Sequence, residues 1–412
     1  MNAALGRHDH DTRVDFVVEL AGRLHAYGTT AHRLEGSVMA VATKLGLECG
    51  AWSNPTGMIL SFGEAGRGRR DTVRVVRLPP GETDLYKLCE ADRIAEAVMS
   101  GELDLEAGHA TLRALDRPGS WRGRLIAILA FGLSAAAVAG LWRLPWLDIA
   151  TAGVTGLLMG VLDWATRDRP RLKEASDAIA AMFAGLVAVL VATYVGALNL
   201  NTVIISSLIV LMPGMSLTNA VNELTNQNLV SCTARFAGAM TTLLKLAIGM
   251  MVALTAADMI GLHPAVRALR PQSDWVEALA LLLGTYAFAV LFRTNRRDYP
   301  LVMLSAATGY LISKIASDAW DNTVGIFLAA LAMTAAGNAY ARWFNRTGAL
   351  VRLPGIIMLV PGSASLRGLL AVVQEQSMEA GQAAMVAALN ILLALVAGLL
   401  FGNILIPTRR NL

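Results

Sequence analysis

The sequence predicts an α-helical polytopic membrane protein, about ten transmembrane helices forming two inverted five-helix repeats behind a small cytosolic α+β domain. Three observations predict it. Of the 412 residues 55% are hydrophobic and only 16% charged, with a mean hydropathy of +0.51, too apolar for a soluble chain of this size. Charge is unevenly spread, with 16 Lys/Arg and 17 Asp/Glu in residues 1–124 against 19 and 14 in all the rest. A Pro-Gly motif also recurs, LMPGMSL at 211–217 and LVPGSASL at 359–366, at matching places in two halves. The units expected are 1–124 (cytosolic), 125–262 (first membrane repeat) and 263–412 (second membrane repeat).

No apolar stretch behind a basic start opens the chain, so no cleavable signal peptide is expected and the N-terminal domain stays in the cytosol. Within it, Val14, Val17, Val18, Ala21 and Leu24, then Leu34, Val38, Val41 and Leu45, recur at helical spacing and predict one long amphipathic helix over 13–47, bent at Gly28 and closed by Gly46. Met58–Phe62 and Thr72–Leu78 read as strands separated by the turn-rich GEAGRGRR, and Pro79-Pro80-Gly81 stops the second. Helices follow over 84–100 and, after Asp104-Leu105-Glu106-Ala107, to Leu115.

Apolar runs able to cross a ~30 Å hydrocarbon core then recur. They fall at 125–142, 148–165, 176–198, 202–221, 233–257, 275–292, 300–316, 323–341, 353–373 and 383–406. Arg167, Arg169, Arg171, Lys173, Arg293, Arg296, Arg297, Arg342, Arg346, Arg352, Arg409 and Arg410 collect on one side, against Arg143, Arg267, Arg270 and Arg367 on the other. Both termini are therefore expected inside. The cluster Arg113, Arg117, Arg122 and Arg124 before the first span fits a surface beside anionic lipid. The basic excess is thus topological and predicts no nucleic-acid partner. Cys49, Cys89 and Cys232 have no CxxC or Cys/His clustering, so neither a metal site nor a disulfide framework is expected; no cofactor is indicated either.

Pro213 and Pro361 each remove a backbone donor, and Gly214 and Gly362 let the chain leave helical geometry. Paired breaks at matching positions predict a ligand site between the repeats, where freed backbone groups face partners or a watery cavity; a kink that only shapes packing is the alternative. Thr155-Gly156 and Thr308-Gly309 echo the repeat. Past the first break come Ser216, Thr218, Asn219, Asn222 and Glu223, with Ser216, Asn219 and Glu223 spaced to share one helical face; past the second come Ser363, Ser365 and Arg367. Such a stripe suits a zwitterion, unless Asn222 and Glu223 simply mark the helix end at the water interface.

Lys245 lies mid-span and should face the bundle interior, as counter-ion to Glu223, anchor for a substrate carboxylate, or a charge that switches with a coupling proton. Lys314 is expected to snorkel with Asp318 as partner, and Arg235 either pairs with Glu223 or snorkels. Asn338 and Asn390 fit interhelical hydrogen bonds, with substrate contact as the other reading for such residues. No phosphate-binding GxxxxGK[ST] loop is present, so gradient-driven transport is expected rather than a nucleotide motor. No nucleophile elbow, metal cluster or paired-carboxylate signature marks residues 1–124 as an enzyme.

These residues resemble a known family. Ala31-His32-Arg33-Leu34-Glu35, followed by Asn54-Pro55-Thr56-Gly57 and the 72–78 strand, resembles the cytosolic domain of the bacterial threonine/serine exporter family. PGMSLTNAVNELTNQNLVSCTAR at 213–235 and LVPGSASLRGL at 359–369 are similar to its two repeat signatures, with Glu223 where Asp is expected and Ser231-Cys232 near a usual Gly. The resemblance implies proton-coupled antiport of threonine or serine across the bacterial inner membrane. Its implied site residues are Pro213, Gly214, Ser216, Asn219, Glu223, Arg235, Pro361, Gly362, Ser363 and Arg367, and Glu223 is the first candidate for proton coupling. Split two-chain relatives imply a dicarboxylate alternative, and a membrane-anchored sensor is the reading from another class. The sequence leaves open whether the chain forms a homo-oligomer.

Overall fold

The computed structural model describes residues 10–64, 66, 72–116, 120–266, 271–344, 346–359, 362, 365–368, 370 and 378–407. The single helix expected over 13–47 is two, α1 (His10–Ala26) and α2 (Ala31–Lys44). Gly28 takes φ +84°, where a Cβ would lie 3.1 Å from the Thr83 backbone, so the chain turns sharply there instead of bending. Strand β1 (Leu47–Asn54) is an addition to the sequence reading, while β2 (Gly57–Glu64) and β3 (Thr72–Arg77) match it. They form an antiparallel sheet in the order β1-β2-β3. Asn54 Oδ1 accepts from Thr56 N (2.9 Å) and Thr56 Oγ1 (2.8 Å), which makes Asn54-Pro55-Thr56-Gly57 the β1–β2 turn. Glu35 accepts from Ser53 N at 2.6 Å and fastens α2 to β1. Helices α3 (Leu85–Ser100) and α4 (Leu105–Ala114) close over a core containing Phe16, Leu20, Leu34, Val38, Leu60, Phe62, Ile94 and Leu112.

His25 lies in this unit, 6% exposed, with Nε2 3.2 Å from the Pro79 carbonyl. Burial holds its pKa below the ordinary histidine value of 6.5. The unfolded chain therefore takes up the proton first. The stability linked to neutral His25 is present above the ordinary value and is lost as pH falls through the lowered folded value. The thermal midpoint of the wild type is expected to fall more steeply than that of His25→Gln between about pH 7 and pH 5, followed by circular dichroism.

The remainder is helical: α5 (Trp121–Leu141), α6 (Trp146–Thr166), α7 (Pro170–Tyr194), α8 (Leu200–Ser207), α9 (Gly214–Thr225), α10 (Leu229–Met259), α11 (Asp274–Leu291), α12 (Tyr299–Ala319), α13 (Asn322–Phe344), α14 (Ala349–Ile357) and α15 (Met378–Leu405). Among the described residues, eight helices are long and apolar enough to cross a membrane, and α8 with α9 makes a ninth bent by 57°. The tenth expected span, 353–373, is described only as α14 and a few residues beyond it. Exposed tryptophans ring the bundle in two girdles. Trp121, Trp164 and Trp343 lie at helix ends on the face carrying the N-terminal unit, and Trp146, Trp275 and Trp320 at the opposite ends.

Helices α7 and α10 pack along each other in the first half as α13 and α15 do in the second, and α5 packs on α11. The last two run antiparallel, since Arg143 after α5 pairs with Asp274 at the start of α11 at 2.7 Å. Both end alike. Arg143 (φ 56°) and Arg293 (φ 52°) occupy left-handed positions. The following amides, Leu144 N to Ala139 O (3.1 Å) and Thr294 N to Ala289 O (3.2 Å), close the same terminal motif.

Candidate functional site

The first helix break follows from local chemistry. Proline disfavours helical backbone in the residue before it, and Met212 is accordingly extended (φ −68°, ψ 131°) between the short turn Ile209–Leu211 and Pro213. Helix α9 restarts at Gly214, with Leu217 N donating to the Pro213 carbonyl at 2.9 Å. At the second break Gly362 is buried, and a Cβ there would lie 3.1 Å from Met212 Cβ and 3.5 Å from Gly214 N. Gly362 of the second Pro-Gly motif, about 150 residues on in sequence, therefore meets the first motif in space. Pro361 and Ser363 lie outside the described residues.

Beside this junction is a cavity of about 340 Å³, lined by Ile209–Met212, Gly214 and Met215 of the first break, Ile357 and Gly362 of the second, Phe131, Asp163, Phe288 and Phe292 of the bundle, Arg293, and Glu82 and Thr83 of the N-terminal unit. That volume is at the small end of the roughly 300–1,000 Å³ usual for small-molecule sites. A cavity of about 230 Å³ adjoins it through Glu82, Asp163 and Leu211 and contains Lys173 and Asp177. A third, of about 150 Å³, lies on the other side of α9, between Thr218, Asn219, Asn222 and Asn226 and the N-terminal unit's Thr30, Arg33 and Asp92, with Arg352 and Asn403.

The face expected from Ser216, Asn219 and Glu223 is thus divided. Asn219 and Asn222 line the smallest cavity; Ser216 is half-buried and lines none of the three. Glu223 points away, 1% exposed, held by Arg235 through Nε to Oε2 and Nη2 to Oε1, both 3.0 Å, while Oε1 also accepts from Ala31 N at 3.1 Å. The expected Glu223–Arg235 pair forms, but its carboxylate caps the N-terminus of α2 and does not face a cavity.

Lys245 pairs with Asp177 of α7 at 3.8 Å and not with Glu223, because α7 and α10 are packed along their length. Lys314 pairs with Glu277 of α11, which also accepts from Tyr310 Oη at 2.9 Å, so the snorkelling pair with Asp318 is replaced by an interhelical one. Asn338 donates to Asn403 Oδ1 (2.9 Å) and the Ile406 carbonyl (2.7 Å), tying α13 to the end of α15; Asn390 is exposed. Ser365 is half-buried in the helical stretch 365–368, and Arg367 lies over the Trp142 ring, 4.5 Å from its centroid.

Three cavity residues escaped the sequence reading. Asp163 carries a signal, an acid one turn inside an apolar span. Arg293 was legible only as topological charge, and Glu82 only as part of a strand-ending loop.

Bundle, tryptophan girdles and, at paired helix breaks, a mainly apolar cavity with a few charged groups define a multi-pass membrane protein of the transporter class. Family models for threonine/serine exporters match residues 15–257 and 277–405, and the chain belongs to that family. It is 24% identical over 380 residues to pheromone-regulated membrane protein 10 of Pichia sorbitophila, covering 88% of this chain and 37% of that one. The Saccharomyces cerevisiae protein of the same name is 24% identical over 370 residues, covering 87% and 47%, and an uncharacterized Schizosaccharomyces pombe protein 23% over 372, covering 87% and 44%. The chain spans less than half the length of these relatives. No solved structure matches it.

Proposed function

We propose that the chain is a secondary active exporter of small hydroxy amino acids, threonine and serine, across a bacterial inner membrane, driven by the proton motive force. The observation that carries this reading is the meeting of Gly362 with Met212 and Gly214 beside the 340 Å³ cavity. The antiparallel run of α5 and α11, with matching arginine ends, supports an inverted relation between the halves. Arginines on the face of the N-terminal unit, Arg167, Arg169, Arg293 and Arg296 among them, support a cytosolic position for that unit and for both termini. The oxygens of Glu223 are engaged by Arg235 and Ala31, so we assign proton coupling to Asp177, with Lys245 as the charge that responds to it.

Purified protein in liposomes loaded with labelled threonine or serine is expected to release either under an imposed proton gradient. Gly362→Val, which wedges a side chain against Met212, is expected to lose most of that flux, and Asp177→Asn to lose its dependence on the gradient. Succinate flux alone would move the substrate to dicarboxylates, and no flux of any solute would favour the sensor.

A further inference from the structure

Arg293 is a strained residue with an unfinished job. It holds a left-handed φ of 52°, a conformation that side-chain-bearing residues adopt at a cost, and its side chain reaches the main cavity. Elsewhere in the molecule arginines grip carboxylates in short forks, Arg346 on Asp298 at 2.7 and 2.8 Å and Arg235 on Glu223 at 3.0 Å twice. Arg293 instead splits its ends between two carboxylates at long range, Nη2 to Glu82 at 3.3 Å and Nη1 to Asp84 at 3.5 Å.

The two acceptors are not equivalent. Asp84 is committed to the fold: its side chain is 5% exposed and caps α3 by accepting from Lys87 N at 3.0 Å, and the next amide, Leu85 N, donates to the Phe292 carbonyl at 2.9 Å. Glu82 has no such role. Its side chain is 61% exposed and, among the described residues, is held only by Arg293 and by Lys173 at 3.6 Å. The remaining ionisable residue among those described as lining the cavity is Asp163, whose carboxylate has no hydrogen bond or ion pair among the described residues, although its backbone carbonyl accepts from Thr166 Oγ1 at 3.3 Å. The cavity thus offers one carboxylate with no hydrogen bond or ion pair among the described residues, in the field of Arg167, Lys173 and Arg293, and one guanidinium whose forked face is poorly filled.

We propose that Glu82 is an internal stand-in for a ligand carboxylate. An α-amino acid entering the cavity displaces Glu82 and takes Arg293 in a fork, while its ammonium faces Asp163. This rests on the exporter reading and deepens it. One carboxylate and one guanidinium match a zwitterion, whereas a dicarboxylate leaves its second charge against Asp163. The N-terminal unit, through the 79–84 loop, competes with substrate for the site it covers.

The test is equilibrium binding of labelled threonine to the purified full-length protein without a gradient, competed by serine, glycerate (serine with hydroxyl for ammonium), ethanolamine (serine without carboxylate) and succinate. Glu82→Gln, which keeps size and leaves the Asp84 cap intact, is expected to bind threonine several-fold more tightly. Arg293→Gln is expected to lose about tenfold or more, the scale of one charge-assisted contact. Asp163→Asn is expected to lose threonine but to accept glycerate better than the wild type does. Wild-type affinity in Glu82→Gln, or unchanged rejection of glycerate in Asp163→Asn, would overturn the proposal while leaving the exporter reading standing. A wild type that binds succinate and not threonine or serine would overturn both.

Discussion

Arg235→Ala is expected to cost the protein about 3–5 kcal/mol, enough to lose the monodisperse species on extraction, because it strands a carboxylate in the interior. Glu223 is 1% exposed, and both its oxygens face Arg235. Its third bond, from Ala31 N, cannot neutralise the charge alone. Glu223→Gln should be milder, since an amide oxygen still accepts from Ala31 N and the Arg235 guanidinium it leaves behind, 17% exposed, reaches solvent where the Glu223 carboxylate does not. Replacing both residues by apolar ones of similar size should recover much of the Arg235→Ala loss, the signature of a penalty that comes from the orphaned partner. Thermal unfolding of the wild type and these three variants in one detergent measures this. Arg235→Ala unfolding at the wild-type midpoint would show that the pair contributes nothing.

Gly309→Leu is the second large effect. A Cβ at Gly309 would lie within van der Waals overlap of the Gly355 carbonyl, 3.0 Å from its carbon, and Ser305 on the same face of α12 donates to the Val351 carbonyl of α14. Two backbones touch there. Even the methyl of Gly309→Ala forces them apart, at about 1–3 kcal/mol for an overpacked site, and leucine costs more. Because α14 leads directly to Gly362, the displacement should reach the main cavity and suppress flux together with the thermal midpoint. Gly238→Ala is the control: a Cβ at Gly238 meets nothing within 4 Å, so that variant should not lose stability. Equal damage from Gly238→Ala and Gly309→Ala would show that flexibility, and not contact, is what glycine supplies. Gly156 is also in close contact, in its case with α5, where a Cβ would lie only 2.6 Å from that of Ala135.

What was legible in the sequence is what short-range pattern can carry. Apolar runs mark the spans because a bilayer selects for length and hydropathy, and Pro213-Gly214 marks a break because proline acts on its own neighbours. Glu223 and Arg235 could be paired because twelve residues and one loop separate them. Lys245 and Lys314 could be recognised as charges needing partners, but the partners sit on α7 and α11, and only the helix packing says so. The polar face of α9 is rotated from its expected position, since the 216/219/223 spacing fits a helix as well as the observed row of Met215, Thr218, Asn219, Asn222 and Asn226. β1 was hidden because LECGAWSN has no clean apolar alternation. The main cavity was the least legible part, as Glu82, Asp163 and Arg293 come from three distant segments; Glu82 and Arg293 alone read as ordinary surface or topological charge, and the acid inside a span at Asp163 gives no partner.

The twin arginines at the ends of α5 and α11 have a directional consequence. At one end of the bundle Arg143 is held by Asp274 and the Gln272 carbonyl, groups that lead straight into the next helix and so belong to the bundle itself. At the other, Arg293 is held by Glu82 and Asp84, which belong to the N-terminal unit outside it. On the exporter reading, the two ends of the bundle would therefore open against unlike resistance, one set within the helices and the other by the N-terminal unit.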